Sequence, residues 1–154
     1  MALLSAGQLM IYAEQQALNA VFRKAQSPAI GAVYMALSTS ATSGVLKSDA
    51  ATMADASINE YATSSGYARQ AYGPVNATNA SPSLIYNTAQ ITWGPFTAAP
   101  GTCNWGICCD AASGTAANAI AAFLLSSSRT PAIGDSLQAA AGTGAAGVGF
   151  ICQV

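Results

Sequence analysis

The sequence predicts a mainly β protein: an antiparallel two-sheet sandwich, jelly-roll-like, with roughly seven or eight strands and one N-terminal α-helix ahead of them. Three observations carry that expectation. Helical periodicity with start and stop signals is confined to residues 1–26. After Pro28, short runs of alternating apolar residues are separated by turns rich in Gly, Pro, Asn and Ser. No second helical period follows, which excludes a βαβ arrangement. The 154 residues fit a single domain, 1–154, made of a helix or arm over 1–26 and a sandwich over 29–154.

The helix is expected over residues 5–25. Ser5 and Gln8 have capping-box spacing, and Leu4 and Leu9 flank that cap as a hydrophobic staple. Arg23 and Lys24 fall in the last turn, where cations suit the helix dipole. Ser27-Pro28 then stops the pattern. Met10, Ala13, Ala17 and Val21 follow one stripe, with Ile11, Leu18 and Phe22 beside it, so the apolar face is wide. That face either packs on its own sandwich or docks on a neighbouring subunit. Leu3, Leu4, Met10, Ile11, Leu18 and Phe22 are its candidate partner contacts.

The strands follow in order. Residues 30–38 form a strand with Val33, Met35 and Leu37 on one face and Ile30, Ala32 and Tyr34 on the other, apolar on both sides and therefore covered on both. Residues 39–66 form a long insert of Ser, Thr, Ala and Asp, in which Asp49 could cap a short helix reaching Asn59 and carrying Met53 and Ile58. A strand is expected over 67–75, and one or two over 84–93. Another covers 103–110, with Cys103, Trp105, Ile107 and Cys109 pointing one way. Residues 119–126 form a strand and 129–134 a turn. Segments 137–141 and 148–152 are expected to form the last pair.

Charge is the outstanding compositional feature. Five Lys or Arg and six Asp or Glu make up 7% of the chain, against 52% hydrophobic residues. A freely diffusing domain keeps about a quarter to a third of its surface charged. So thin an ionic coat points to a subunit covered by neighbours in an assembly. The net charge is −1 and Arg23-Lys24 is the one adjacent cation pair, so nucleic acid is not expected as a partner. Apolar runs fall far short of the ~20 residues of a membrane-spanning helix, and the N-terminus lacks a signal-peptide pattern, so cytosolic synthesis is expected.

Chemistry-bearing residues are sparse. With no His, the commonest general base and activator of Ser or Cys nucleophiles is missing. The six carboxylates (Glu14, Asp49, Asp55, Glu60, Asp110, Asp135) show no paired motif, and the glycines at 142, 144, 147 and 149 precede no helix and no Lys, unlike a phosphate cradle. No enzyme activity, cofactor or metal is expected. Of the four thiols, Cys108 and Cys109 are adjacent, which strains a shared metal site. Free buried thiols are expected; the alternative is a disulfide of Cys103 with Cys108 or Cys109, or of Cys152 with one of these. Arg69 lies mid-strand in an almost uncharged chain and needs a partner, for which Glu60 is nearest, within the fold or across subunits. Tyr67 and Trp93 read as core aromatics.

Several short motifs, in order, extend over nearly the whole chain: Ile11-Tyr12-Ala13-Glu14, Val33-Tyr34-Met35-Ala36-Leu37, Gly66-Tyr67-Ala68-Arg69-Gln70, Trp93, Gly106-Ile107-Cys108-Cys109-Asp110-Ala111 and Gly134-Asp135. This series resembles a family of small tailed-phage virion proteins, of the capsid decoration (cement) or tail fibre type. The Cys-Cys pair and the length of the 39–66 insert depart from the family pattern. The resemblance implies a bacteriophage structural protein. The primary expectation is a decoration protein on the capsid exterior, bridging capsomers by contact with the major capsid protein and with copies of itself, preferably as a homotrimer. The alternative is a tail or fibre adsorption protein that binds host glycans, for which Tyr61, Tyr67 and Tyr72 with Asn59 could be recruited.

Overall fold

The computed structural model describes residues 8–22, 32–41, 50–73, 84–142 and 151–153. Within them lie one α-helix, α1 (Ile11–Phe22), and nine strands: β1 (Gln8–Leu9), β2 (Tyr34–Ser38), β3 (Gln70–Ala71), β4 (Leu84–Tyr86), β5 (Ile91–Trp93), β6 (Cys103–Cys109), β7 (Ala119–Arg129), β8 (Leu137–Ala139) and β9 (Ile151–Gln153). The protein is mainly β and its ladders are antiparallel, in a sandwich-like arrangement. Five strands form the main sheet in the order β1-β7-β6-β2-β3, and β4 with β9 and β5 with β8 form two short ladders.

The main sheet is buried on both faces, as the doubly apolar β2 requires. Met35 and Leu37 enter one core, where they meet Tyr61, Tyr67, Trp93 and Phe96. The β5–β8 ladder closes this side: Ile91 and Trp93 are buried, and Leu137 and Ala139 pack partly buried beside them. The Trp93 Nε1–H donates to the Met35 carbonyl at 3.2 Å, fixing the ladder to β2. Ala36 enters the opposite core with Trp105, Ile107 and Cys109.

That second core is closed by the described part of the long insert that begins at Ala50. Ala50, Met53 and Ile58 are buried there. The backbone of the insert is tied down by Met53 N–H to Ala117 O (2.8 Å), Ala119 N–H to Ala51 O (3.0 Å) and Tyr61 N–H to Leu37 O (3.0 Å). The buried Ser40 hydroxyl donates to Ile58 O at 2.8 Å. No helix forms over 50–59; the segment is a series of turns in which Asp55 Oδ1 accepts from Ser57 N–H at 2.8 Å. Met53 and Ile58 reach the core from turns because anchoring bonds to β2 and to the 117–119 segment replace helical ones. Asp49 lies outside the described residues.

Further expectations are corrected. The helix starts at Ile11, not at residue 5: Gln8 and Leu9 are extended and pair with Ala122 and Ala121 of β7. Met10, 1% exposed, donates its N–H to Ile120 O at 2.8 Å, so pairing and burial win over the local capping signal. Ser5, Arg23 and Lys24 lie outside the described residues. Next, Cys103 faces the core of Met35 and Cys108, not that of Trp105, Ile107 and Cys109. The register slips between them, since Cys103 pairs with Arg129 while Trp105 pairs with Leu124, and such a bulge turns the side chain over. Finally, β8 pairs with β5 and β9 with β4, so residues 137–141 and 148–152 are not mutual partners. The strand expected over 67–75 shortens to β3, and β7 extends through Arg129, expected in a turn.

Candidate functional site

The densest polar construction sits where β2, the segment leading into β3 and the turn after β6 converge. Tyr67 and Arg69 lie two residues apart just ahead of β3 and both are buried, at 3% and 8% exposure. Arg69 Nε donates to Glu60 Oε1 and Nη2 to Glu60 Oε2, both at 2.7 Å, a fork-on-fork pair. Its remaining donors reach two carbonyls of the β6–β7 connection, Nη1 to Ala111 O at 3.0 Å and Nη2 to Gly114 O at 2.9 Å. The Tyr67 hydroxyl donates to Glu60 Oε1 at 3.0 Å and accepts from the Leu37 N–H at 2.9 Å. Nearby, Asp110 Oδ1 accepts from Asn118 N–H at 2.7 Å, closing the same connection.

The electrostatics follow from the geometry. The hydrogen bonds to Glu60 raise the Arg69 pKa further, against the opposing cost of burial. Burial is the main cause holding the Tyr67 and Tyr61 hydroxyls well above their ordinary range. The Cys103 thiol is pushed up to about 11 by burial, and Cys109 is raised for the same reason although Arg69 pulls it back. All three of Cys103, Cys108 and Cys109 are buried, and Cys103 and Cys109 carry free thiols, so the disulfides considered for Cys103 do not form. Cys109 Sγ donates to the Ala111 carbonyl that Arg69 also holds.

The cluster is a clamp. Among the described residues, no buried side-chain nitrogen or oxygen lacks a hydrogen-bond partner, and no group of three or more His, Cys, Asp or Glu is placed to hold a metal ion. The three tyrosines that a glycan site would have recruited, Tyr61, Tyr67 and Tyr72, are 3–4% exposed and belong to the core. Tyr61 stands edge-on to Tyr67 and Phe96, with ring centroids 5.6 and 6.0 Å apart, and its hydroxyl donates to Gly101 O. Asn59 alone of that set is exposed, at φ 44°. Of the candidate partner contacts, Met10 is buried and Ile11 half-buried, whereas Leu18 and Phe22 are exposed; Leu3 and Leu4 lie outside the described residues.

Sequence reasoning missed the role of Tyr67 as the second ligand of Glu60 and of the Ala111 and Gly114 carbonyls as ligands of Arg69. The available signal was the motif series itself. Leu37, Tyr67, Arg69 and Ala111 come from three different motifs, and the clamp joins them. The sequence model of the podophage GP4 fiber I protein gp80 family matches residues 8–145. The chain belongs to this family. No curated protein matches it. The fiber I match runs from β1 through β8 and takes in the whole clamp. As a fiber I family member, the protein is a structural component of a bacteriophage virion.

Proposed function

We propose that this protein is a subunit of the podophage fibre, part of the apparatus that meets the host, and that it works by holding position among other virion proteins and not by catalysis. The match to a fibre protein family over residues 8–145 carries this reading. It favours the fibre over the capsid exterior, so decoration of capsomers and contact with the major capsid protein are set aside. The composition fits: a nearly uncharged surface packs densely against neighbours and responds little to salt. The fold fits as well, because a sheet buried on both faces and locked by a buried ion pair resists deformation. Stacking of host glycans on Tyr61, Tyr67 or Tyr72 is not part of the proposal, since these rings are buried.

Phage particles assembled without this chain test the reading. The expected result is full capsids of ordinary heat stability that carry defective fibres and adsorb poorly to host cells. Particles with intact fibres and normal adsorption but fragile capsids would reverse it in favour of decoration.

A further inference from the structure

Three large apolar side chains are exposed among the described residues: Leu18 and Phe22 on α1, at 57% and 78%, and Ile133 in the turn after β7, at 69%. Residues four apart share a helix face, so Glu14, Leu18 and Phe22 form one stripe about 12 Å long. Ile133 stands on a fixed turn. Asp135 Oδ2 accepts from the Ala132 N–H at 2.8 Å. The buried Phe96 binds the same turn twice: its carbonyl accepts from the Gly134 N–H at 2.8 Å, and its N–H donates to Asp135 O at 2.9 Å. A side chain displayed on so constrained a backbone costs little ordering when a partner covers it.

The spare charges accompany these side chains. Glu60 and Arg69 pair with each other, and Asp55, Asp110 and Asp135 accept nearby backbone N–H groups. Glu14 and Arg129 are the two exposed charges with no side-chain partner among the described residues. Glu14 lies four residues before Leu18, and Arg129 lies four residues before Ile133. The described surface thus carries two patches of one kind and opposite sign, an acid with Leu18 and Phe22 and a base with Ile133. Both are exposed in the same copy, so neither covers the other within it.

We propose that copies of this chain associate head to tail, with the Ile133 turn of one copy seated on Leu18 and Phe22 of the next and its Arg129 on that copy's Glu14. The spans agree: four residues reach at most about 14 Å, enough for Arg129 and Ile133 to meet both ends of the stripe. Covering Leu18, Phe22 and Ile133 removes from water the large apolar side chains that the described surface exposes. The charge pair fixes which way round the copies meet. The two patches differ, so the contact is heterologous. Its rotation decides whether copies run on as a row or close into a ring, of which the homotrimer expected from the sequence is one form. The contact rests on α1 and the 129–135 turn and holds wherever in the virion the chain sits.

The test is sedimentation velocity and native mass spectrometry of the full chain up to about 500 μM, a concentration suited to a contact smaller than a standard interface. Association is expected. Leu18→Asp/Phe22→Asp and Ile133→Asp each raise the dissociation constant about tenfold or more, because an apolar anchor is lost. Circular dichroism and thermal unfolding of both variants stay those of the wild-type monomer, since all three side chains are exposed. Mixed together, the two variants form one-to-one dimers and nothing larger, because one supplies an intact turn and the other an intact helix. Glu14→Arg weakens association about threefold or more, and Glu14→Arg/Arg129→Glu restores it. A wild-type chain that stays monomeric, a mixture that stays monomeric, either variant associating as the wild type does, or indifference to Glu14→Arg overturns the proposal. None of these outcomes bears on whether the protein sits in the fibre.

Discussion

Arg69 and Glu60 face each other through two hydrogen bonds of 2.7 Å, and the guanidinium spends its other donors on the Ala111 and Gly114 carbonyls. The pair thereby fastens the chain just after the insert to the connection between β6 and β7. Its Arg69 side chain is 4% exposed and its Glu60 side chain 20%. Removing one partner leaves the other charge stranded away from water.

Glu60→Ala is therefore expected to destabilise the fold by about 3 kcal/mol, at the lower end of the range for broken buried pairs because Glu60 keeps some solvent. Arg69→Lys keeps the charge but loses the fork and both carbonyl contacts, and should fall between wild type and Glu60→Ala. Urea unfolding measures both. A loss below about 0.5 kcal/mol for Glu60→Ala, the level of an exposed pair, would show that the clamp contributes little.

The insert offers a sharper test of the second core. Ile58 has no exposed surface and packs on the face of the main sheet that carries Trp105 and Ile107. Ile58→Ala should cost about 2–5 kcal/mol, as for other large-to-small changes in a core. Were the insert merely a displayed loop, the same substitution would lie within about 0.5 kcal/mol of wild type.

Much of this was legible in the sequence, and the failures have physical causes. The unbroken apolar run of residues 33–37 announces a strand covered on both faces, and the scarcity of charge makes Arg69 and its nearest acid conspicuous. The insert was opaque because Met53 and Ile58 are two apolar residues without a period, held from turns by backbone bonds to distant strands. The start of α1 is hidden because Ser5 and Gln8 give a local signal that the pairing of Gln8 with Ala122 overrides. The face of Cys103 is not legible from sequence because a bulge leaves no mark in an alternating pattern. The clamp was half visible: side-chain partners can be guessed from charge, but carbonyl ligands such as Ala111 and Gly114 cannot.

Alkaline pH should unfold the protein selectively. Burial raises Cys103, Cys109, Tyr61 and Tyr67 above their ordinary values of 9.0 for the thiols and 10.0 for the hydroxyls. Above pH 9 the unfolded chain releases protons that the folded chain retains, so stability falls as pH rises, first through the thiols and then more steeply above 10 through the tyrosines. Below these values both states are protonated and the effect vanishes. Tyrosinate absorbance followed alongside circular dichroism checks this. Tyr61 and Tyr67 should ionise only as the fold is lost; ionisation of all six tyrosines near pH 10 in a chain that stays folded would contradict it.

Alkylation read by mass spectrometry checks the thiols. In the native state Cys103, Cys108 and Cys109 should resist labelling because they are buried, and burial also disfavours the thiolates of Cys103 and Cys109. In urea without reductant all four cysteines should label. Two or fewer labels after denaturation would reveal disulfides and refute the reading of free thiols.

The account as a whole turns on where the chain sits. Immunogold electron microscopy of intact virions, with antibodies raised against this chain, addresses that directly. Gold is expected along the fibres and absent from the capsid faces. Gold spread over the capsid exterior, with bare fibres, would contradict the assignment.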